Sequence, residues 1–310
     1  SSEKSPAAVM SLKENPDPAV CPVCAGHHFQ SLFRCTDHFV SGRSFPLCRC
    51  LQCGFIYTGS APSEELSSTF YQSEKYISHS NTSEGIINLV YHSVREIMLG
   101  QKRKIVAKHA GMPRGTLLDV GAGTGYFLNH MRSKGWEVTG TEKSDTAREF
   151  AMKQNGLALL PGEALFSLPA ESFDVITLWH VMEHLYDLDE HWKGVKRLLK
   201  PGGCLVIALP NHTSSDALHY GEFWAAWDVP RHLWHFSPSS LEHLARKEDF
   251  RLVKIHRMPF DPFYVSMLSE KYRKSRFPVL KGLFFGKISW FRALFDPRKC
   301  SSLIYILKRQ

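Results

Sequence analysis

Three glycines at alternate positions, Gly121-Ala-Gly123-Thr-Gly125, follow the apolar run Thr116–Val120 and precede the amphipathic stretch Tyr126–Lys134. A strand that ends in a glycine turn and restarts as a helix belongs to open α/β sheets, where ligands bind at the carboxyl edge of the strands. The pattern around the loop agrees. Strands are predicted at Thr116–Val120, Glu137–Thr141, Leu157–Leu160, Phe173–Leu178, Cys204–Leu209, Arg251–Met258 and Ser302–Leu307. Helices fall between them at Tyr126–Lys134, Ser144–Gln154, Asp189–Leu199 (stopped by Pro201-Gly-Gly203) and from Ser237-Pro238 to Lys247, with one or two more over 83–110. This alternation predicts an α/β fold, an open sheet with helices on both faces.

The loop chemistry narrows the ligand. The order is GxGxG rather than GxGxxG, and Tyr126 stands where a dinucleotide enzyme places glycine. Asp119 at the end of the first strand would repel a pyrophosphate but suits a ligand carrying an ammonium and a sulfonium. Glu142 ends the second strand, the position from which a carboxylate takes hydrogen bonds from ribose hydroxyls. These residues together predict S-adenosylmethionine.

Six of the eight cysteines lie between Cys21 and Cys53. Cys21-Pro-Val-Cys24 and Cys50-Leu-Gln-Cys53 are two well-separated CxxC pairs. That is the pattern of a zinc ribbon, and four thiolates satisfy tetrahedral Zn²⁺. Four protein ligands leave no open coordination position, so the expected zinc is structural. Cys35 and Cys48 are expected as buried thiols.

Lys and Arg exceed Asp and Glu by 38 to 30, a net charge of +8, and the excess is local. Between Phe263 and Lys299 there are nine basic residues and two acids, mixed with Phe284, Phe285, Ile288, Trp290, Phe291, Leu294 and Phe295. Such a segment either packs on its own domain with solvated charges, or meets an anionic membrane, a lipid-linked substrate or another partner over 263–299. The ribbon carries only Arg34, Arg43 and Arg49 against Asp37, a weak phosphate footprint that speaks against nucleic acid. No run of 18 apolar residues and no secretory h-region are present, so the expected location is cytoplasmic, with peripheral membrane association through the basic segment as an open option.

From Asp119 to Gly125, with Glu142, Ser172-Phe-Asp174, His180-Val-Met-Glu183-His184-Leu185 and Leu199-Lys-Pro-Gly-Gly203, the chain resembles the class I S-adenosylmethionine-dependent methyltransferases over Thr116–Met258 and the last strand. Pro210-Asn211 and Asp228-Val-Pro230-Arg231-His232-Leu-Trp-His235-Phe236-Ser237 look like a subgroup related to ubiquinone-biosynthesis O-methyltransferases and sugar methyltransferases. Some sugar C-methyltransferases carry a similar cysteine ribbon. The resemblance implies a Rossmann-like seven-stranded sheet of order 3-2-1-4-5-7-6 with the last strand antiparallel. The chain is expected to divide into a disordered 1–17, a zinc-ribbon-like module at 18–60, a linker and lead-in helices at 61–110, and a methyltransferase domain at 111–260. A basic helical insertion at 261–300 and the final strand at 301–310 complete the chain.

Carried over by position, Asp119, Gly121, Gly123 and Gly125 cradle the methionine part of the cofactor and Glu142 the ribose. Glu163 lies near the adenine, and Trp179 and His180 lie at the reactive edge. Tyr71 and Tyr76 resemble aromatic residues that cover the cofactor, core packing being an equal alternative. Methyl transfer to oxygen needs a proton acceptor. His184, His232 and His180 are the candidates, with a buried structural histidine as the alternative for His184. Asp228, Arg231, His235 and Trp227 are candidate acceptor contacts. Trp224, Trp227 and Trp234 suit ring stacking or a satellite core equally. The expected activity is methylation, preferably at oxygen, of a small molecule such as a sugar or a lipid-linked or polysaccharide intermediate. RNA or protein methylation using the ribbon, and a cofactor-binding scaffold without chemistry, are the rivals.

Overall fold

The computed structural model describes residues 17–71 and 86–309, with only the backbone of 86–93. Apart from Asp17, the N-terminal stretch expected to be disordered lies outside the described residues. The first sheet contains β1 (Phe29–Thr36), β2 (Ser44–Cys50) and β3 (Ile56–Thr58), paired antiparallel. A long lead-in helix, α1 (Ile86–Ala110), follows. The main sheet starts with β4 (Thr116–Val120) and continues through α2 (Tyr126–Ser133), β5 (Glu137–Glu142), α3 (Asp145–Asn155) and β6 (Leu160–Pro161). Then come β7 (Phe173–Trp179), α4 (Leu188–Leu198), β8 (Leu199–Pro210) and α5 (Ser215–Tyr220). The chain finishes with β9 (Trp234–His235), α6 (Pro238–Lys247), β10 (Phe250–Arg257), the helices α7 (Asp261–Tyr272) and α8 (Pro278–Phe295), and β11 (Ser302–Arg309).

The seven-stranded sheet runs β10-β11-β8-β7-β4-β5-β6, with β11 antiparallel to both neighbours. Numbered within that sheet this is 3-2-1-4-5-7-6, the expected Rossmann-like order. The central strands are mostly apolar because helices cover both faces. Leu205–Leu209 is buried throughout. Local signals set the helix ends. Ser144 accepts the Ala147 N–H at the start of α3, and Gly156 ends that helix in the left-handed region. Ser237 and Ser240 cap α6 reciprocally around Pro238.

Two strands differ from expectation. Only Leu160 and Pro161 pair with β5, so the third strand is shorter and later than Leu157–Leu160 suggests. β8 begins at Leu199, and Pro201-Gly202-Gly203 sits inside it, where the register to β7 shifts between Phe173 and Val175. The short strand β9 adds to β3 through Ile56↔His235 and Tyr57↔Trp234. The N-terminal module is thereby sewn to the segment before α6, and Phe55 packs on Phe236 at 5.4 Å. Among the described residues, no helix is long and apolar enough to cross a membrane.

Candidate functional site

The glycine loop crosses from β4 towards β5, with the Ala122 N–H donating to Thr141 O at 2.9 Å. Gly121 has φ +67°, and a Cβ there would stand 2.5 Å from a methyl of Val181, so both conformation and space demand glycine. Gly123 has φ +55° with nothing within 4 Å of an added Cβ, so its face opens outward. Glu142 Oε2 accepts the Gly123 N–H at 2.8 Å and its Oε1 the Ser144 N–H at 2.9 Å. A carboxylate has about four acceptor sites, so two backbone bonds leave room for ribose hydroxyls. Asp119 is buried and takes the Thr177 hydroxyl at 2.5 Å. Burial pushes its carboxyl up to about 7, although Thr177 and Lys102 pull it down. The Lys102 ammonium lies 4.1 Å over the Trp179 ring. Burial lowers its pKa to about 8 against the attraction of Asp119 and Asp261. The open face of Gly123, the acceptor sites left on Glu142 and the Asp119 carboxyl at this edge suit the ammonium, sulfonium and ribose hydroxyls of S-adenosylmethionine, so the residues present fit that cofactor.

Beyond β7 the chain enters a tight polar cluster. His180 has φ +57°, a strained conformation. Its Nδ1 meets Glu183 Oε1 at 3.3 Å while its Nε2 lies 3.9 Å from Asp261. Burial lowers the His180 pKa, but Glu183 and Asp261 outweigh it and the net shift is upward. Burial would raise the Glu183 pKa, yet the hydrogen bond from His180 and three neighbouring histidines hold it below its usual range. His184 Nδ1 lies 2.9 Å from the carbonyl of Arg231 and 3.1 Å from the Tyr71 hydroxyl. A carbonyl only accepts, so Nδ1 carries the proton and Nε2 keeps its lone pair. His232 is held the same way, its Nδ1–H donating to Ala226 O at 2.9 Å, and burial together with His184 pushes its pKa down to about 4. The two imidazole rings are 4.6 Å apart. Glu183, His184 and His232 present ligand atoms within 4.8 Å of one another, an arrangement able to hold a divalent ion.

A methyltransferase-domain family model matches residues 94–255, just over half of the chain. The chain belongs to this methyltransferase family. It is 29% identical over 196 residues to a ubiquinone biosynthesis O-methyltransferase of Brucella anthropi, covering 56% of this chain and 76% of that protein. To the protein of the same name from Nitrosomonas europaea it is 26% identical over 184 residues, 55% of this chain and 77% of that one. Among solved structures, an S-adenosylmethionine-dependent methyltransferase from Archaeoglobus fulgidus overlaps 73% of this chain and 100% of its own, with 21% identity and a TM-score of 0.47. The protein is an S-adenosylmethionine-dependent methyltransferase.

In this methyltransferase the loop residues, Asp119, Glu142, Trp179 and His180 all lie along the carboxyl edge of β4, β5 and β7. Tyr71, His184, His232 and Asp228 meet in one cluster just beyond it. Glu163 is exposed on a short turn after β6, and Tyr76 lies outside the described residues. Arg231, expected at the acceptor, is instead 4% exposed, with its donors taken by Asp228, Asp37 and Phe70 O. His235 and Trp227 are likewise buried: His235 Nε2 bonds the Thr58 hydroxyl at 2.9 Å and Trp227 Nε1 donates to Gly221 O. Neither offers an exposed face to an acceptor. Trp224 and Trp227 form a satellite core, and Trp234 donates to Leu185 O. Two site residues escape the sequence reading. Lys102 sits in a string of polar residues on α1, and Asp261 precedes a proline at the start of α7, where it reads as an ordinary helix-start acid.

The four cysteines of the paired motifs converge in the N-terminal module. Sγ atoms of Cys21 and Cys53, and of Cys24 and Cys50, are each 3.6 Å apart, and all four lie within 4.8 Å. Cys35 and Cys48 are buried elsewhere, Cys35 against Glu222 O and Cys48 beside Tyr57.

Proposed function

We propose that this methyltransferase methylates a hydroxyl of a small, polar acceptor, a sugar or a lipid-linked or polysaccharide intermediate, with His184 as proton acceptor. The observation that carries the reading is the double tether of His184. Its Nδ1–H is fixed on the Arg231 carbonyl beside Tyr71, which leaves Nε2 as a base in the cluster with Glu183 and His232. S-adenosylmethionine, when bound, supplies a methyl group on a positively charged sulfur for in-line displacement. Asp119 and Glu142 orient the amino-acid and ribose ends, and Glu183 holds His180 at the reactive edge. His184 takes the hydroxyl proton as oxygen attacks. Polar groups around the cluster support a hydroxylated acceptor, as does the O-methyltransferase name of the two relatives. Trp224 and Trp227 are buried in the satellite core, so these two indoles do not stack on the acceptor.

The cysteine quartet is read as a structural zinc site. Tetrahedral Zn²⁺ with Zn–S bonds of about 2.3 Å holds its sulfurs somewhat less than two bond lengths apart. The 3.6 Å separations fit that spacing. Amides of Gln52 and Cys53 also point at the Cys50 sulfur, as thiolate ligands require.

The test is a screen of hydroxylated acceptors with radiolabelled cofactor, followed by His184→Gln on the best acceptor. Loss of a general base lowers kcat by about 10²–10⁴-fold, with cofactor affinity unchanged. A variant retaining the wild-type kcat and pH profile would sink the assignment.

A further inference from the structure

α8 is built inside out. Its buried face is Gly282, Gly286, Ser289 and Ala293, pressed so closely on α7 that a Cβ at Gly282 would lie 2.4 Å from Met267 Cα. On the opposite face, at i, i+4, i+11 and i+15, stand Leu280, Phe284, Phe291 and Phe295, exposed by 68%, 61%, 55% and 78%. Phe277, Val279, Leu283 and Leu294 widen the strip. Eight of the fifteen large hydrophobic side chains exposed among the described residues therefore belong to α8 and the residue before it. Isolated exposed leucines need no explanation, but a contiguous aromatic strip marks an interaction surface.

The charges around the strip specify the partner. Lys271, Arg273, Lys274, Arg276, Lys281, Lys287, Arg292, Arg298 and Lys299 are all exposed. None joins an ion pair among the described residues. The two acids of the same stretch are withdrawn: Glu270 is buried beside Ser275, and Asp296 caps the turn after α8. A second copy of the chain placed face to face would oppose these cations with an identical set. An anionic lipid surface satisfies both halves, since phenylalanines enter the interface while lysine and arginine reach the headgroups.

We propose that the α7–α8 hairpin docks this methyltransferase on an anionic bilayer, with α8 lying in the interface plane. The hairpin also walls the cleft, since Asp261 at the start of α7 faces His180. Docking therefore holds the catalytic edge at a fixed distance from the membrane. The proposal is independent of the acceptor and of His184.

The experiment is co-sedimentation of the full chain with vesicles of phosphatidylcholine alone and of phosphatidylcholine mixed with phosphatidylglycerol, at low and high salt. Binding is expected only to the mixed vesicles and should weaken with salt. Removing a basic residue near such a surface costs about fivefold in partitioning, so Lys281→Gln with Lys287→Gln should lose about 25-fold. Phe284→Ser with Phe291→Ser should lose at least about tenfold for each ring. Both pairs are exposed, so circular-dichroism melting should match wild type and separate lost docking from lost folding. Equal binding to neutral vesicles, or binding that survives both variants, would overturn the proposal. So would a lipid-free dimer that Phe284→Ser with Phe291→Ser converts to monomer, because the strip would then belong to a second copy.

Discussion

Replacing Arg231 by methionine should destabilise the fold rather than weaken acceptor binding. Its guanidinium joins three parts of the chain. Nε bonds both Asp228 oxygens at 3.1 Å, Nη2 bonds Asp228 at 2.6 Å and Asp37 at 3.1 Å, and Nη1 donates to Phe70 O at 3.0 Å. Asp37 keeps the amides of Phe39, Val40 and Ser41 without Arg231, so the stranded charge is mainly Asp228, left with His232 at 3.8 Å. Removing one partner of such a buried pair costs about 3–5 kcal/mol. For a chain of 310 residues that lowers the melting midpoint by about 5–8 °C. The second variant, Arg231→Met with Asp228→Asn, removes the stranded charge and should recover part of the loss. Circular-dichroism melting reads both. An Arg231→Met protein that melts like wild type but shows a raised acceptor KM would refute this reasoning and return Arg231 to the acceptor site.

Purified protein is expected to hold a single zinc ion in the cysteine module. Cys50→Ser should lose it and lower the melting midpoint, as metal analysis and melting would show; identical melting of zinc-loaded and zinc-stripped protein would refute the site. Burial holds His235 and His232 neutral in the fold. The unfolded chain therefore takes up protons below about pH 6.5 while the folded chain does not. Stability is full above that pH and falls by about 1.4 kcal/mol per pH unit for each such histidine as the pH drops towards the folded pKa. Denaturant melts of His235→Gln should show a correspondingly flatter dependence on pH over the acid range.

The strands and helices of the main sheet and its glycine loop are legible in the sequence because each rests on neighbouring residues, whereas the strand order comes from the family resemblance. A glycine loop, a carboxylate at a strand end and alternating apolar periods are local signals. What escapes is long-range. The two-residue strand β9 pairs with β3 from a distant part of the chain, and nothing in Trp234-His235 announces an edge to complete. The same separation hides the fate of Arg231, whose Asp37 partner belongs to the N-terminal module. Pro201-Gly202-Gly203 reads as the end of the preceding helix, yet the strand has already begun at Leu199 through an irregular register. Lys102 escapes because a lysine in a polar helical stretch reads as surface, and only the fold sets it over Trp179.

Calorimetric titration of the full chain with S-adenosylmethionine, with NADH in parallel and Asp119→Ala as control, tests the central claim most directly. The account predicts saturable binding of S-adenosylmethionine, none of NADH, and a large loss of affinity in the variant. Binding of NADH, or an Asp119→Ala protein that holds S-adenosylmethionine as tightly as wild type, would contradict it.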